Sequence, residues 1–151
     1  MEIERIERSR QPIVGLHEVV PMSNLSEFFG RAFAAAVAEL ARQGTAPMGP
    51  PVALYNGTFG ESADVTAGFP VRTPAAPEGG LVLAALPGGE VVQTVHVGPY
   101  DELAATYGEL SGWIAERGLT PADQMWEEYL VGPDREPDPA RWRTRVAFPV
   151  A

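Results

Sequence analysis

The triplet FPV at residues 69–71 returns as FPV at residues 148–150, an interval of 148 − 69 = 79. His17 and His96 keep that interval, 96 − 17 = 79, so one spacing marks both ends of two stretches of chain. Between those ends, Gly44 and Gly118 are 118 − 44 = 74 apart, and so are Tyr55 and Tyr129 at 129 − 55 = 74. A fixed long-range interval is the signature of a unit built twice. The five-residue difference corresponds to a longer first helix and a later connection in the second half.

The segments between these marks carry matching signals. After the extended IERSRQPIVGLHEVV, Ser23 or Asn24 can cap a helix with Leu25, Phe28, Phe29, Phe33, Val37 and Leu40 at helical spacing, and Gly44 ends it. PVALY (51–55) and ADVTAGFPV (63–71) read as strands joined by a Gly-containing connection. RTPAAPEGG (72–80) reads as a linker. LVLAAL and EVVQTVHV flank Pro87-Gly88-Gly89, which predicts a hairpin. A second helix is expected from about Asp101 to Gly118, with Leu103, Tyr107, Leu110 and Ile114 on its stripe, then strands MWEEYL and RWRTRVAFPV. The expectation is an α+β fold of two strand-helix-strand-strand halves, about 1–71 and 81–151 with linker 72–80, related by a pseudo-twofold axis in one domain of 151 residues.

Composition excludes several classes of function. The chain has no cysteine, and all 11 basic residues are arginines, so thiolate chemistry, Schiff-base lysines and a phosphate-loop lysine are absent. A net charge of −9 repels a phosphate backbone, so no nucleic acid is expected as a direct partner. No apolar run approaches the roughly 20 residues that span a bilayer, and the charged start MEIERIERSR is unlike a signal peptide. No membrane partner and a cytoplasmic location are the expectations. Gly88-Gly89 lacks the dinucleotide fingerprint and no Ser-centred hydrolase elbow occurs, so no cofactor is expected.

MWEEYL (125–130) poses the functional question, because adjacent strand residues point to opposite faces and one of Glu127 and Glu128 must therefore point inward. Parity puts Met125, Glu127 and Tyr129 on one face, and Trp126, Glu128 and Leu130 on the other. Parity alone leaves open which face is covered. In the 74-residue interval Tyr129 matches Tyr55 and Glu127 matches Ala53, so two equivalent tyrosines carry one charge between them. A carboxylate among aromatic rings needs a cation or a hydrogen-bond donor, and a lipophilic cation stacked on tyrosine supplies the first.

VHVGPYDEL (95–103), EEYL (127–130) and TRVAFPV (144–150) together resemble the GyrI-like family, the effector-binding domains of bacterial multidrug-sensing transcription activators. The resemblance covers nearly the whole chain. It implies two such halves about a pseudo-twofold axis, with a drug pocket between them and the pocket glutamate at the Glu-x-Tyr position, here Glu127. The resulting reading is binding of flat, aromatic, often cationic small molecules, with Tyr129, Tyr55 and Trp113 as stacking surfaces and Met125 and Phe148 beside them. No helix-turn-helix region precedes the domain, so direct transcriptional control is not expected, which leaves room for a protein partner. Stand-alone members also include a gyrase-inhibitor protein and hydrolases of cyclopropane-containing toxins. In a hydrolase Glu127 would activate water and Tyr55 would donate a proton. The remaining residues have simpler readings. Trp113 is equally compatible with core flank and pocket wall, and Tyr107 reads as core. Phe69 and Phe148 read as sheet core before pocket floor, His17 and His96 as structural rather than metal ligands, and RWRTR (141–145) as a solvated strand face. Glu127 is expected inside and Glu128 in solvent.

Overall fold

The computed structural model describes residues 1–57 and 60–151. The Gly-containing connection expected after PVALY lies partly outside them. The elements run β1 (Ile3–Arg8), β2 (Gln11–Pro21), α1 (Leu25–Arg42), β3 (Val52–Asn56), β4 (Ser62–Pro70), β5 (Val82–Leu86), β6 (Gly89–Val97), α2 (Leu103–Glu116), β7 (Gln124–Val131) and β8 (Arg143–Pro149). The fold is α+β, and the order strand, helix, strand, strand occurs twice, as β2-α1-β3-β4 and β6-α2-β7-β8.

Two compact units result, one of residues Arg10–Pro87 and the other of Met1–Ser9 with Gly88–Ala151. In the first the strand order is β3-β4-β2-β5, with α1 packed on β2 and β4. In the second it is β7-β8-β6-β1, with α2 packed on β6. Their pairings are antiparallel. The extended N-terminal stretch therefore divides: β1 pairs with β6 and β2 with β4 and β5.

The hairpin expected at Pro87-Gly88-Gly89 does not form, because β5 pairs with β2 while β6 lies between β1 and β8. A two-residue hairpin turn of the common type needs positive φ at both central positions. Here Gly89 has φ 118° but already belongs to β6, and Gly88 has no positive φ.

Helix α1 ends before Gly44, whose φ of 73° suits the left-handed stop. Asn24 is its N-cap residue, after a 3-10 turn at Met22–Asn24, but its side chain makes no capping bond. The buried stripe is Phe28, Ala32, Ala36 and Leu40 rather than the large residues alone, and Val37 is exposed. Alanines at the contact let the helix lie close to the sheet. Val14, Ala36, Leu40, Phe69 and Val71 form one core cluster with Phe33 against it. Such burial contributes about 1.5–3 kcal/mol per large side chain.

Equivalent aromatic pairs show the internal repeat. Phe33 of α1 meets Phe69 of β4 edge-on at 5.9 Å, and Tyr107 of α2 meets Phe148 of β8 edge-on at 6.3 Å. Tyr107, read as core, is half-buried. The histidine match does not survive the register. Val14 pairs with Phe69 and Val92 with Phe148, so β2 maps to β6 with an interval of 92 − 14 = 78, one less than the interval for β4 and β8. A shift of one residue reverses faces. His17 accordingly lies on the sheet face away from α1, bonded to Asp64 at 2.7 Å, while His96 lies on the α2 face and is buried.

Candidate functional site

Strand β7 carries the two glutamates, and its register with β8 pairs Trp126 with Ala147, Glu127 with Val146, Glu128 with Arg145 and Tyr129 with Thr144. Directly paired residues share a face. Glu127 and Tyr129 therefore stand with Val146, Thr144, Phe148 and His96 on the face that α2 covers, and Glu128 and Trp126 stand on the other.

Both glutamates are buried, Glu127 at 3% and Glu128 at 5% exposure, so the expectation that Glu128 faces solvent is overturned. Their surroundings differ completely. Glu128 accepts hydrogen bonds from Arg8 of β1 at 2.7 Å, Arg145 of β8 at 2.7 Å and the Trp126 indole at 2.9 Å. Burial pushes its carboxyl up, but Trp126 and the two arginines outweigh that and hold it below the ordinary range. Arg145 is thus half of an ion pair, and the solvated-face reading of RWRTR fails there. Alternation in the sequence shows only that Arg145 and Glu128 can face the same way, and their pairing is a long-range fact.

Glu127 takes part in no ion pair among the described residues. Its carboxylate accepts the Tyr129 hydroxyl at 2.6 Å. Burial pushes its pKa up to about 7, against which the Tyr129 bond pulls downward. Near neutral pH both its charged and its neutral form are accessible. It can therefore receive a cation by losing its proton, or exchange a proton with a bound molecule.

Aromatic rings adjoin it. Tyr129 meets Tyr100 edge-on at 5.9 Å, and Tyr100 lies tilted over Trp142 at 4.9 Å. The Trp142 indole donates to the Glu136 carbonyl at 2.8 Å, which fixes that ring. The Tyr100 hydroxyl is made less acidic by burial and by the charges of Asp134 and Glu127. Tyr100 and Trp142 were not singled out from the sequence. Tyr100 lies in HVGPY, which carries the resemblance, but nothing local places its ring beside Trp142, 42 residues on (142 − 100).

The other expected residues are distributed as follows. Met125 is buried and shares the face of Glu127 by alternation. Phe148 is half-buried beneath Tyr107 of α2. Trp113 is half-buried on α2, and the Arg117 guanidinium lies 3.6 Å from its ring centroid, so one ring face is already occupied. Tyr55 is buried in the first unit, where its pairing with Val65 puts it on the α1 face, the position that Tyr129 holds in the second. One polar atom on the α2 face is unsatisfied among the described residues: Thr144 Oγ1, fully buried between His96 and Tyr129. No group of three or more metal-ligating side chains occurs among the described residues, and no described helix is long and apolar enough to cross a membrane.

The family described as the GyrI-like small molecule binding domain matches residues 1–151. The chain belongs to this family. Among solved structures, the chain is similar to the C-terminal domain of EcmrR at 19% identity and TM-score 0.78, covering 99% of this chain and 97% of that one. It is similar to a hydrolase from Listeria innocua at 17% identity and TM-score 0.73, covering 99% and 92%. It is also similar to SAV2435 bound to tetraphenylphosphonium, at 12% identity and TM-score 0.68, covering 100% and 94%. Against EcmrR in complex with DNA, at 21% identity and TM-score 0.77, it covers 99% of itself but spans 57% of that chain. At these identities the likeness is one of fold. No curated protein matches the sequence significantly. As a GyrI-like domain, the chain is a small-molecule binding domain.

Proposed function

We propose that this GyrI-like domain binds flat, aromatic, often cationic molecules, for sensing or sequestration, with Glu127 as the counter-charge and Tyr129 as a stacking surface. One observation carries the reading: a buried carboxylate that has a tyrosine hydroxyl but, among the described residues, no basic side chain as partner. Ordinary structural carboxylates avoid that arrangement, as the adjacent Glu128, paired with two arginines, illustrates. A lipophilic cation supplies the missing charge and adds about 0.5–2 kcal/mol for each aromatic face it meets. The similar protein bound to tetraphenylphosphonium is consistent with that class of ligand. Tyr55, Trp113, Met125 and Phe148 are proposed as further contacts, and Tyr100 joins them through its packing on Tyr129.

The test is titration with tetraphenylphosphonium, followed by quenching of tryptophan fluorescence. Glu127→Gln should bind it about tenfold or more weakly while a neutral aromatic compound is spared, because a lost charge-assisted contact is worth about 1.5–3 kcal/mol. Equal binding of both compounds by the variant and the parent sinks the reading. A second reading, hydrolysis of an electrophilic small molecule, is favoured by the pKa of Glu127 near 7, which suits a general base. Mass spectrometry of each compound after incubation separates the two: the first reading leaves the compound intact, the second converts it.

A further inference from the structure

We propose that His96 is the positioning residue of the binding site: it fixes the turn that carries Tyr100, and through Tyr100 it holds Tyr129 against Glu127. This rests on the binding reading above, and it concerns a residue that touches neither Glu127 nor Tyr129 by hydrogen bond.

His96 sits at the end of β6 with 5% exposure, and both its ring nitrogens are engaged. The Pro99 carbonyl, 3.1 Å from Nε2, can only accept, so Nε2 carries a proton and donates to it. Nδ1 lies 2.7 Å from the hydroxyl of Thr106, which is 1% exposed on the buried stripe of α2. One imidazole thus ties the strand, the turn and the helix together. The turn it holds is unusual backbone. Gly98 has φ 131°, and a Cβ there would lie 2.9 Å from a Glu102 carboxylate oxygen, so only glycine fits without displacement. The Gly98 amide donates to the Trp142 carbonyl at 2.9 Å, which brings the turn to the aromatic ring that Tyr100 covers.

Tyr100 follows directly, opening the 3-10 turn Tyr100–Glu102 that leads into α2. Three surfaces then locate its ring: Trp142 beneath it, Tyr129 edge-on, and Gly132, where a Cβ would come 3.1 Å from the Tyr100 hydroxyl. The Tyr129 hydroxyl in turn donates to Glu127. Without the His96 bridge the turn loses its tie to β6 and α2 and keeps only backbone bonds such as that from Gly98 to Trp142, so Tyr100 shifts over Trp142 and Tyr129 loses the edge contact that orients its hydroxyl. Placement errors of this size are costly where a site depends on preorganised geometry.

The experiment is a double-mutant cycle on tetraphenylphosphonium affinity in the full chain, with variants His96→Leu, Thr106→Val and Tyr100→Ala. Thr106→Val removes only the Nδ1 partner and keeps the shape, so it serves if His96→Leu does not fold. Each of the first two should weaken binding about tenfold in the parent and by less than about twofold once Tyr100 is alanine, because residues acting through one another are not additive. In the ligand-free protein the Trp142 indole resonance should also shift in both, since the ring above it has moved. Full additivity with Tyr100→Ala, or an unmoved Trp142 resonance in a folded variant, overturns the proposal. If the parent does not bind tetraphenylphosphonium at all, the binding reading fails, and the Trp142 resonance alone decides whether His96 sets Tyr100.

Discussion

Replacing Glu127 by glutamine should change the way stability depends on pH, and the size follows from the burial of this one group. The carboxyl moves from an ordinary 4.5 to about 7 in the folded protein because burial disfavours its charge. Between those values the folded chain holds a proton that the unfolded chain has released. Stability therefore falls as pH rises through this window, and the contribution is present in full below 4.5 and lost above 7. The displacement corresponds to about 3 kcal/mol. Glutamine keeps the shape and an acceptor for Tyr129 but cannot ionise. The variant should thus gain about 3 kcal/mol relative to the parent on going from pH 4.5 to pH 8, read as the difference of two urea unfolding curves at each pH. Other carboxylates cancel in that difference. A gain smaller than about 0.5 kcal/mol would mean that water or an unrecognised donor reaches Glu127, and the counter-charge argument would fall with it. The same titration predicts that tetraphenylphosphonium binds more tightly as pH rises, by up to about tenfold per unit below 7 and with no further gain above it.

Three further outcomes are expected. Glu128→Ala should cost about 2–4 kcal/mol in urea unfolding, because it leaves Arg8 and Arg145 facing each other without their shared anion, and it should leave cation affinity within about twofold. Gly68→Ala should destabilise by about 3 kcal/mol or more, since its Cβ would sit 1.9 Å from the Val14 carbonyl oxygen, where only backbone can give way. A variant that melts within a few degrees of the parent would refute that. Tyr129→Ala and Tyr55→Ala should each weaken dye binding by about 1–3 kcal/mol, by analogy with base–aromatic stacking. Unchanged affinity removes the residue concerned from the site.

The order of elements, the double occurrence of strand, helix, strand, strand, and the equivalence of Tyr55 with Tyr129 were legible in the sequence, because hydrophobic period, glycine stops and repeated triplets are local signals. The inward aim of Glu127 was legible once the Glu-x-Tyr pattern was set beside the family. Pairing was not legible. That β1 joins β6, that β5 joins β2 and not β6, and that β2 and β6 are one residue out of step with the triplet interval depend on which edges meet, and alternation is blind to a shift that simply exchanges faces. The burial of Glu128 has the same origin. Its partners, Arg8 and Arg145, lie 120 and 17 residues away in sequence, and a carboxylate reads as solvent-facing until the folded chain delivers two guanidinium groups to it. Tyr100 and Trp142 meet for an equally non-local reason: the backbone bond from Gly98 to Trp142 sets a turn against the start of β8, and only that closure turns two scattered aromatics into a surface beside Glu127.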